Sequence, residues 1–279
     1  MELTFFGQYL VNHGLINTRQ LSEALTVVTE RNQLVGSLAV QGGYLTDPQV
    51  EEIHREQRRA DKYFGEIAAE RGWMTTEQVD TLLGHQRNLN VRIGDILVEL
   101  GYADRRRIET MHQRFLADQA EHLTEHRLPS AVAQAPLTRY ALDLFPRLLR
   151  RITTQPSKLG RGVSWTCRRG ASHAMSIGLT GEVDLTTTLV PSERQAKELS
   201  AGILGLVPSE RSVLDQDQIA DALSEFMNMY ADAVKHRANE MDVDLNVGVP
   251  LPGRLPAKGF SFPVLTNAGA GSIVVRTSK

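Results

Sequence analysis

The chain has 279 residues, with 31 Lys+Arg against 33 Asp+Glu and a formal net charge of -2. That length suits one large domain or two modest ones. The near-neutral balance argues against non-specific nucleic-acid binding, which works by displacing counterions from a basic surface. A single cysteine, Cys167, excludes an intrachain disulfide and a cysteine-built metal site and fits a reducing compartment. Met1–Phe6 lacks the basic start and long apolar run of a signal peptide. No stretch approaches the ~20 apolar residues of a membrane span. The expectation is a cytoplasmic protein without membrane insertion or nucleic acid.

The first part of the chain is periodic. Gly7, Gly36, Gly65 and Gly94 recur every 29 residues, and Gly14, Gly43, Gly72 and Gly101 follow each by seven. Apolar pairs lie between the glycines (Leu10-Val11, Ala39-Val40, Ala68-Ala69, Leu97-Val98) and after them (Leu15-Ile16, Tyr44-Leu45, Trp73-Met74, Tyr102-Ala103). An aliphatic residue stands fourteen after each first glycine: Leu21, Val50, Val79 and Ile108. The spacing predicts a short helix, a turn and a longer helix per unit, four units in all. The second glycine falls where a helix C-terminus favours positive φ. Asn17-Thr18, Thr46-Asp47, Thr75-Thr76 and Asp104 are mostly N-cap types ahead of the longer helix, and Pro48 after Asp47 fits a first helical position. Each unit is too small to hide its apolar face, so neighbours are expected to stack.

This pattern resembles the MshEN-type module found at the N-terminus of type II secretion ATPases, a cyclic di-GMP receptor in some members. The resemblance covers about residues 4–115 and implies two such modules in tandem over residues 1–115. The family's motif Arg is matched only by Arg92; its equivalents are Phe5, Leu34 and Tyr63. The closing Gln is matched only by Gln57 and Gln86; the others are Val28 and Phe115. Arg92, Gln57 and Gln86 are therefore the residues the resemblance offers for cyclic di-GMP, and no adjacent pair of units carries a full set. A helical interaction scaffold is the plainer reading.

Residues 116–137 read as a linker, with a helix tail near Gln119–His122 and the small, proline-bracketed stretch Leu128–Pro136. From residue 138 the pattern changes. Tyr140–Ile152 reads as a helix interrupted near Pro146. Gly162–Cys167 and Ala174–Leu179 read as strands, and Glu182–Val190 alternates with Val183, Leu185, Thr187 and Leu189 on one side. A helix from Glu193 to about Leu204 and a longer one from Asp217 to Glu240 follow. Strands are expected at Val243–Val249, Phe260–Leu265 and Ser272–Arg276, with a hairpin turn at Asn267–Gly271. Strands and helices come in blocks, which predicts an α+β fold with an antiparallel sheet over residues 138–279.

The long helix has two sides. At ~100° per residue, Ile219, Ala222, Leu223, Phe226, Tyr230, Ala233 and Val234 gather on one. Asp221, Glu225, Asn228, Asp232 and Lys235 gather on the other, within roughly 80°.

Residues 138–279 resemble the CheX/CheC family of chemotaxis phosphatases. The likeness is carried by Ser176-Ile177-Gly178-Leu179-Thr180-Gly181-Glu182-Val183 and by Ala222-Leu223-Ser224-Glu225-Phe226-Met227-Asn228-Met229, with Lys235 and Pro250 also in place. The single Glu-x-x-Asn is similar to that of CheX; CheC members often have two. The resemblance implies removal of phosphate from the aspartyl-phosphate of a response regulator. The regulator itself holds Mg²⁺, so no intrinsic cofactor is implied. Asn228 would hold the attacking water in line with phosphorus, and Glu225 would pair with the regulator's lysine. Asp232-Ala233 replaces the family's frequent Gly-Asn pair and adds a negative charge.

Other residue groups read more plainly. The eight histidines show no metal-ligand spacing beyond His122 and His126, four apart on a charged segment. Arg105-Arg106-Arg107 reads as a solvated helix start or an acidic-partner patch. Ser164, Ser172 and Ser176 form no nucleophile elbow. Cys167 is expected on a buried strand face with Val163 and Trp165. A non-catalytic adaptor of a pilus, secretion or motility machine is the rival reading. A homodimer paired through a free strand edge such as Ser272–Arg276 is the third.

Overall fold

The computed structural model describes residues 4–59, 61–123, 128–153, 156–166, 173–206 and 214–278. It divides into two compact units: residues 1–57 with 62–121, and residues 58–61 with 122–279.

The first unit is helical throughout its elements. Short helices α1 (Phe6–Asn12), α3 (Val35–Gln41), α5 (Phe64–Glu70) and α7 (Ile93–Glu99) alternate with longer ones. These are α2 (Thr18–Arg31), α4 (Asp47–Arg59), α6 (Thr76–Leu89) and α8 (Arg105–Leu123). The periodic glycines have two separate jobs. Gly14, Gly43, Gly72 and Gly101 end the short helices at φ +68° to +72°, a conformation glycine reaches without steric cost. Gly7, Gly36, Gly65 and Gly94 sit under the aliphatic residue fourteen ahead. A Cβ on Gly36 would lie 2.8 Å from Val50, one on Gly94 2.9 Å from Ile108, and one on Gly65 would run into Val79. The longer helices open on side-chain caps. The Gln20, Gln49 and Gln78 carboxamides reach back to the backbone N–H of Asn17, Thr46 and Thr75, and Asp104 accepts from the Arg107 N–H.

Stacking does not follow chain order. One apolar cluster joins Leu10, Ile16, Leu21 and Ala24 to Ile96, Leu97 and Ile108, so the first helix pair packs on the fourth. A second joins Leu38, Ala39, Leu45 and Ile53 to Phe64, Ile67, Ala68, Met74 and Leu82, the second pair on the third. Two modules in simple tandem would have grouped first with second and third with fourth. Four similar apolar faces offer several pairings, and the sequence pattern does not choose among them.

The second unit is a sheet with helices on one face. α8 continues through the start of the expected linker, and a short helix α9 (Ser130–Ala133) precedes α10 (Pro136–Thr153). Val132 already belongs to the core. α10 is not interrupted at Pro146. Leu144, Phe145, Leu148 and Leu149 are buried on both sides of the proline, and their packing outweighs one lost backbone bond.

The strands are β1 (Ser157–Leu159), β2 (Val163–Thr166), β3 (Met175–Gly181), β4 (Asp184–Val190), β5 (Leu245–Val247), β6 (Leu251–Pro252), β7 (Lys258–Thr266) and β8 (Gly269–Ser278). They pair antiparallel in the order β1-β7-β8-β4-β3-β5, with β2 on β7 and β6 on β3. β8 is paired on both sides, with Thr187 opposite Val275 and Phe262 opposite Ile273. Ser272–Arg276 is thus interior, and a dimer through it is ruled out. β2 is also corrected: Val163 is 55% exposed, and the strand pairs with β7 alone. Cys167 and Ser172 lie outside the described residues.

Helices α11 (Glu193–Ile203) and α12 (Gln216–Glu240) join α10 over the sheet, in one core with Ile177, Leu185, Phe262 and Ile273. On the reverse face Ser176, Thr188, Val274 and Ser261 form a buried cross-strand row. The Ser176 hydroxyl donates to the Arg254 carbonyl at 2.7 Å. No described helix is long and apolar enough to cross a membrane.

Candidate functional site

α12 is held rigidly. Asp215 accepts from the Gln218 N–H at 2.8 Å, and the Gln218 side chain accepts from the Asp215 N–H at 3.1 Å, closing a capping box. Ile219, Leu223, Phe226, Met227, Tyr230 and Val234 are fully buried along the inner side. Phe145 meets Phe226 and Tyr230 edge-on, at 5.4 and 5.6 Å between ring centres. The Tyr230 hydroxyl donates to the Ala141 carbonyl at 3.1 Å and lies 3.3 Å from the Thr187 hydroxyl. Burial, first among the causes, drives its phenol pKa well up.

With that side fixed, the outer side is fixed too. Glu225 is exposed and Asn228 is half-buried, three residues apart, about 4.5 Å along the axis. Among the described residues none hydrogen-bonds to or ion-pairs with either. Both are available to an outside group. Asp221 and Asp232 are exposed on the same stripe, and Lys235 is half-buried. A carboxylate and a carboxamide so placed can take a cation and orient a water or a hydroxyl at once.

Arg92, Gln57 and Gln86 lie in the first unit. Arg92 is exposed at the N-cap of α7. The Gln86 carboxamide donates to the Gln33 carbonyl at 3.0 Å, and that of Gln57 to the Lys62 carbonyl at 3.1 Å. Each amide thus tethers a loop backbone. Arg92 and Gln86 flank one loop junction, where the Val91 N–H donates to Asn32 Oδ1 at 2.7 Å. No bond among the described residues joins Gln57 to the other two. The side chain of His122, and His126 entirely, lie outside the described residues. Among the described residues no three metal-ligating side chains gather.

One cluster escapes a reading by motif. Asp61, with 11% of its side chain exposed, pairs with Arg147 at 2.5 Å and Arg151 at 2.7 Å, and Tyr140 donates to it at 3.2 Å. The Arg237 guanidinium lies 5.7 Å from the Tyr140 ring centre. Burial, then the Asp61 charge, raises the Tyr140 phenol pKa. The only sequence signal was an i, i+4 arginine pair on α10.

No family model matches the sequence, and no curated protein matches it. Several solved structures are similar. The chemotaxis protein CheX of Desulfovibrio desulfuricans is 14% identical over 52% of this chain and 100% of its own, with a TM-score of 0.42. CheX of Vibrio vulnificus is 16% identical over 52% and 100%, with a TM-score of 0.41. The complex of CheX with CheY, BeF3 and Mg²⁺ from Borrelia burgdorferi gives 12% identity over 50% and 97%, with a TM-score of 0.41.

Proposed function

We propose that the second unit binds a phosphorylated response regulator and hydrolyses its aspartyl-phosphate, in the manner that the likeness of residues 176–183 and 222–229 to CheX/CheC implies. The observation that carries the reading is the outward pairing of Glu225 and Asn228 on a helix whose other side is locked by the core. Phosphoryl transfer passes through a loose transition state, so a phosphatase of this kind contributes mainly positioning. The Asn228 carboxamide oxygen accepts a hydrogen bond from the attacking water and so holds the water's lone pair in line with phosphorus. Glu225 pairs with a lysine beside the phosphoryl group and sets the docking register. Mg²⁺ belongs to the regulator and neutralises the phosphoryl oxygens. A rigid helix delivers both side chains to one cleft without the cost of ordering its backbone.

The first unit, in this reading, consists of four copies of one helix pair and serves as a scaffold toward motility or secretion machinery. Two of the three residues offered for cyclic di-GMP already hold loop carbonyls, which favours a scaffold over a nucleotide receptor.

Phosphate release from a phosphorylated cognate regulator tests the reading. Asn228→Ala is expected to slow release about 100-fold, the scale of losing one pre-positioned polar group, while regulator affinity holds. Equal rates for native protein and variant would remove Asn228 from catalysis.

A further inference from the structure

The loop after α1 and the first three turns of α8 enclose an open cleft of about 620 Å³. Its walls carry Arg106, Arg107 and Arg114 from α8 and His13 from the loop, over a floor of Leu15 and Met111. The three arginines are exposed. Among the described residues no ion pair engages Arg106 or Arg114. Asp104, the one carboxylate lining the cleft, is occupied: it caps the Arg107 N–H at 2.9 Å and stands 3.9 Å from the Arg107 Nε. Asp118, one turn beyond Arg114, accepts the Tyr9 hydroxyl at 2.6 Å. Positive charge therefore dominates the cleft, in a chain whose net charge is -2.

α8 departs here from the other long helices. At the third helical position α2, α4 and α6 carry Gln20, Gln49 and Gln78, whose side chains fold back on the cap. α8 has Arg107 there instead, and its side chain lines the cleft beside Asp104.

We propose that this cleft docks an acidic peptide segment of a partner protein. The spacing chooses the ligand. Arg106, Thr110 and Arg114 form one row at four-residue intervals, with the Cα atoms of the two arginines about 12 Å apart along the axis. A compact phosphate or diphosphate would fill only part of that row. Carboxylates along a chain can, since extended residues on one face repeat about every 6.8 Å. Leu15 and Met111 provide apolar contact for the peptide's side-chain stems.

Binding of a fluorescein-labelled oligoglutamate to the full chain, read by anisotropy, tests this. Native protein is expected to bind at ~20 mM salt and to lose most binding at ~300 mM, as an exposed ionic contact must. Arg106→Gln/Arg114→Gln is expected to weaken binding about tenfold. Arg55→Gln/Arg87→Gln removes the same charge from α4 and α6 and is expected to change it less than about twofold. Equal losses in the two double variants would mean diffuse charge alone and overturn the proposal. So would no binding at low salt, or displacement of the peptide by pyrophosphate at equal concentration.

Discussion

Arg31, at the end of α2, grips both carboxylate oxygens of Glu99 on α7, at 2.7 and 2.6 Å across 68 residues of chain. Beside it the Asn32 carboxamide exchanges two hydrogen bonds with the Val91 backbone, at 3.0 and 2.7 Å. These contacts fasten the first helix pair to the fourth. Both charged partners are about half exposed, so the burden falls on the apolar cluster beneath. Leu10→Ala or Leu97→Ala is expected to cost about 2–5 kcal/mol in urea unfolding. Arg31→Gln should cost less than about 1 kcal/mol. A larger loss from Arg31→Gln than from Leu97→Ala would contradict this division.

The two glycine sets should respond differently to a methyl group. Gly65→Ala drives a Cβ into Val79 and is expected to cost about 1–3 kcal/mol through overpacking. Gly43→Ala meets open space but must hold φ +69°, at a cost of about 1 kcal/mol. Restoring volume separates the causes: adding Val79→Ala should rescue Gly65→Ala, whereas Gly43→Ala has no such partner.

Glu23 links stability to pH at both ends of the scale. The Tyr102 hydroxyl donates to its carboxylate, and Arg19 pairs with it at 2.9 Å. The tyrosine bond first, then the arginine, hold the Glu23 carboxyl below its ordinary range. That stability is present above the unfolded value near ~4.3 and disappears as pH falls through the lowered folded value. The Glu23 bond raises the Tyr102 phenol in turn. That contribution is full below ~10 and fades as pH rises through the raised value. Urea midpoints across pH should fall at both extremes, and Glu23→Gln should flatten both arms. An unchanged pH profile in Glu23→Gln would dismiss the link.

Asp232 bears on the proposed docking. It is exposed on the same stripe as Glu225 and Asn228, and a phosphorylated carboxylate cleft is itself acidic. Like charge across an interface slows encounter. Asp232→Asn is expected to raise the regulator association rate about threefold at low salt, with the difference shrinking as salt rises. A slower association in Asp232→Asn would mean that Asp232 makes an attractive contact.

Much of the local structure was legible in the residues. Glycine marks short-helix ends because it alone takes positive φ cheaply, and Asn17 and Thr75 announce helix starts because their side chains satisfy free N–H groups. The inner side of α12 followed from its period, and with it the outward direction of Glu225 and Asn228. Ser272–Arg276 read as a strand but not as an interior one, since alternation records burial on one face and carries no strand order. The Asp61 cluster was invisible, because its partners stand 79 and 86 residues away.

The residues by themselves determined where the short helices end and the longer ones begin in the first unit, and which side of α12 turns outward. These depend on caps, φ preferences and period, all settled within a few residues. Tertiary structure alone decided that the first helix pair packs on the fourth, that α10 runs through Pro146, and that Arg106, Arg107 and Arg114 share a cleft with His13. Each of these is a choice among distant surfaces of similar polarity, and it is made by how much apolar area a given pairing removes from water.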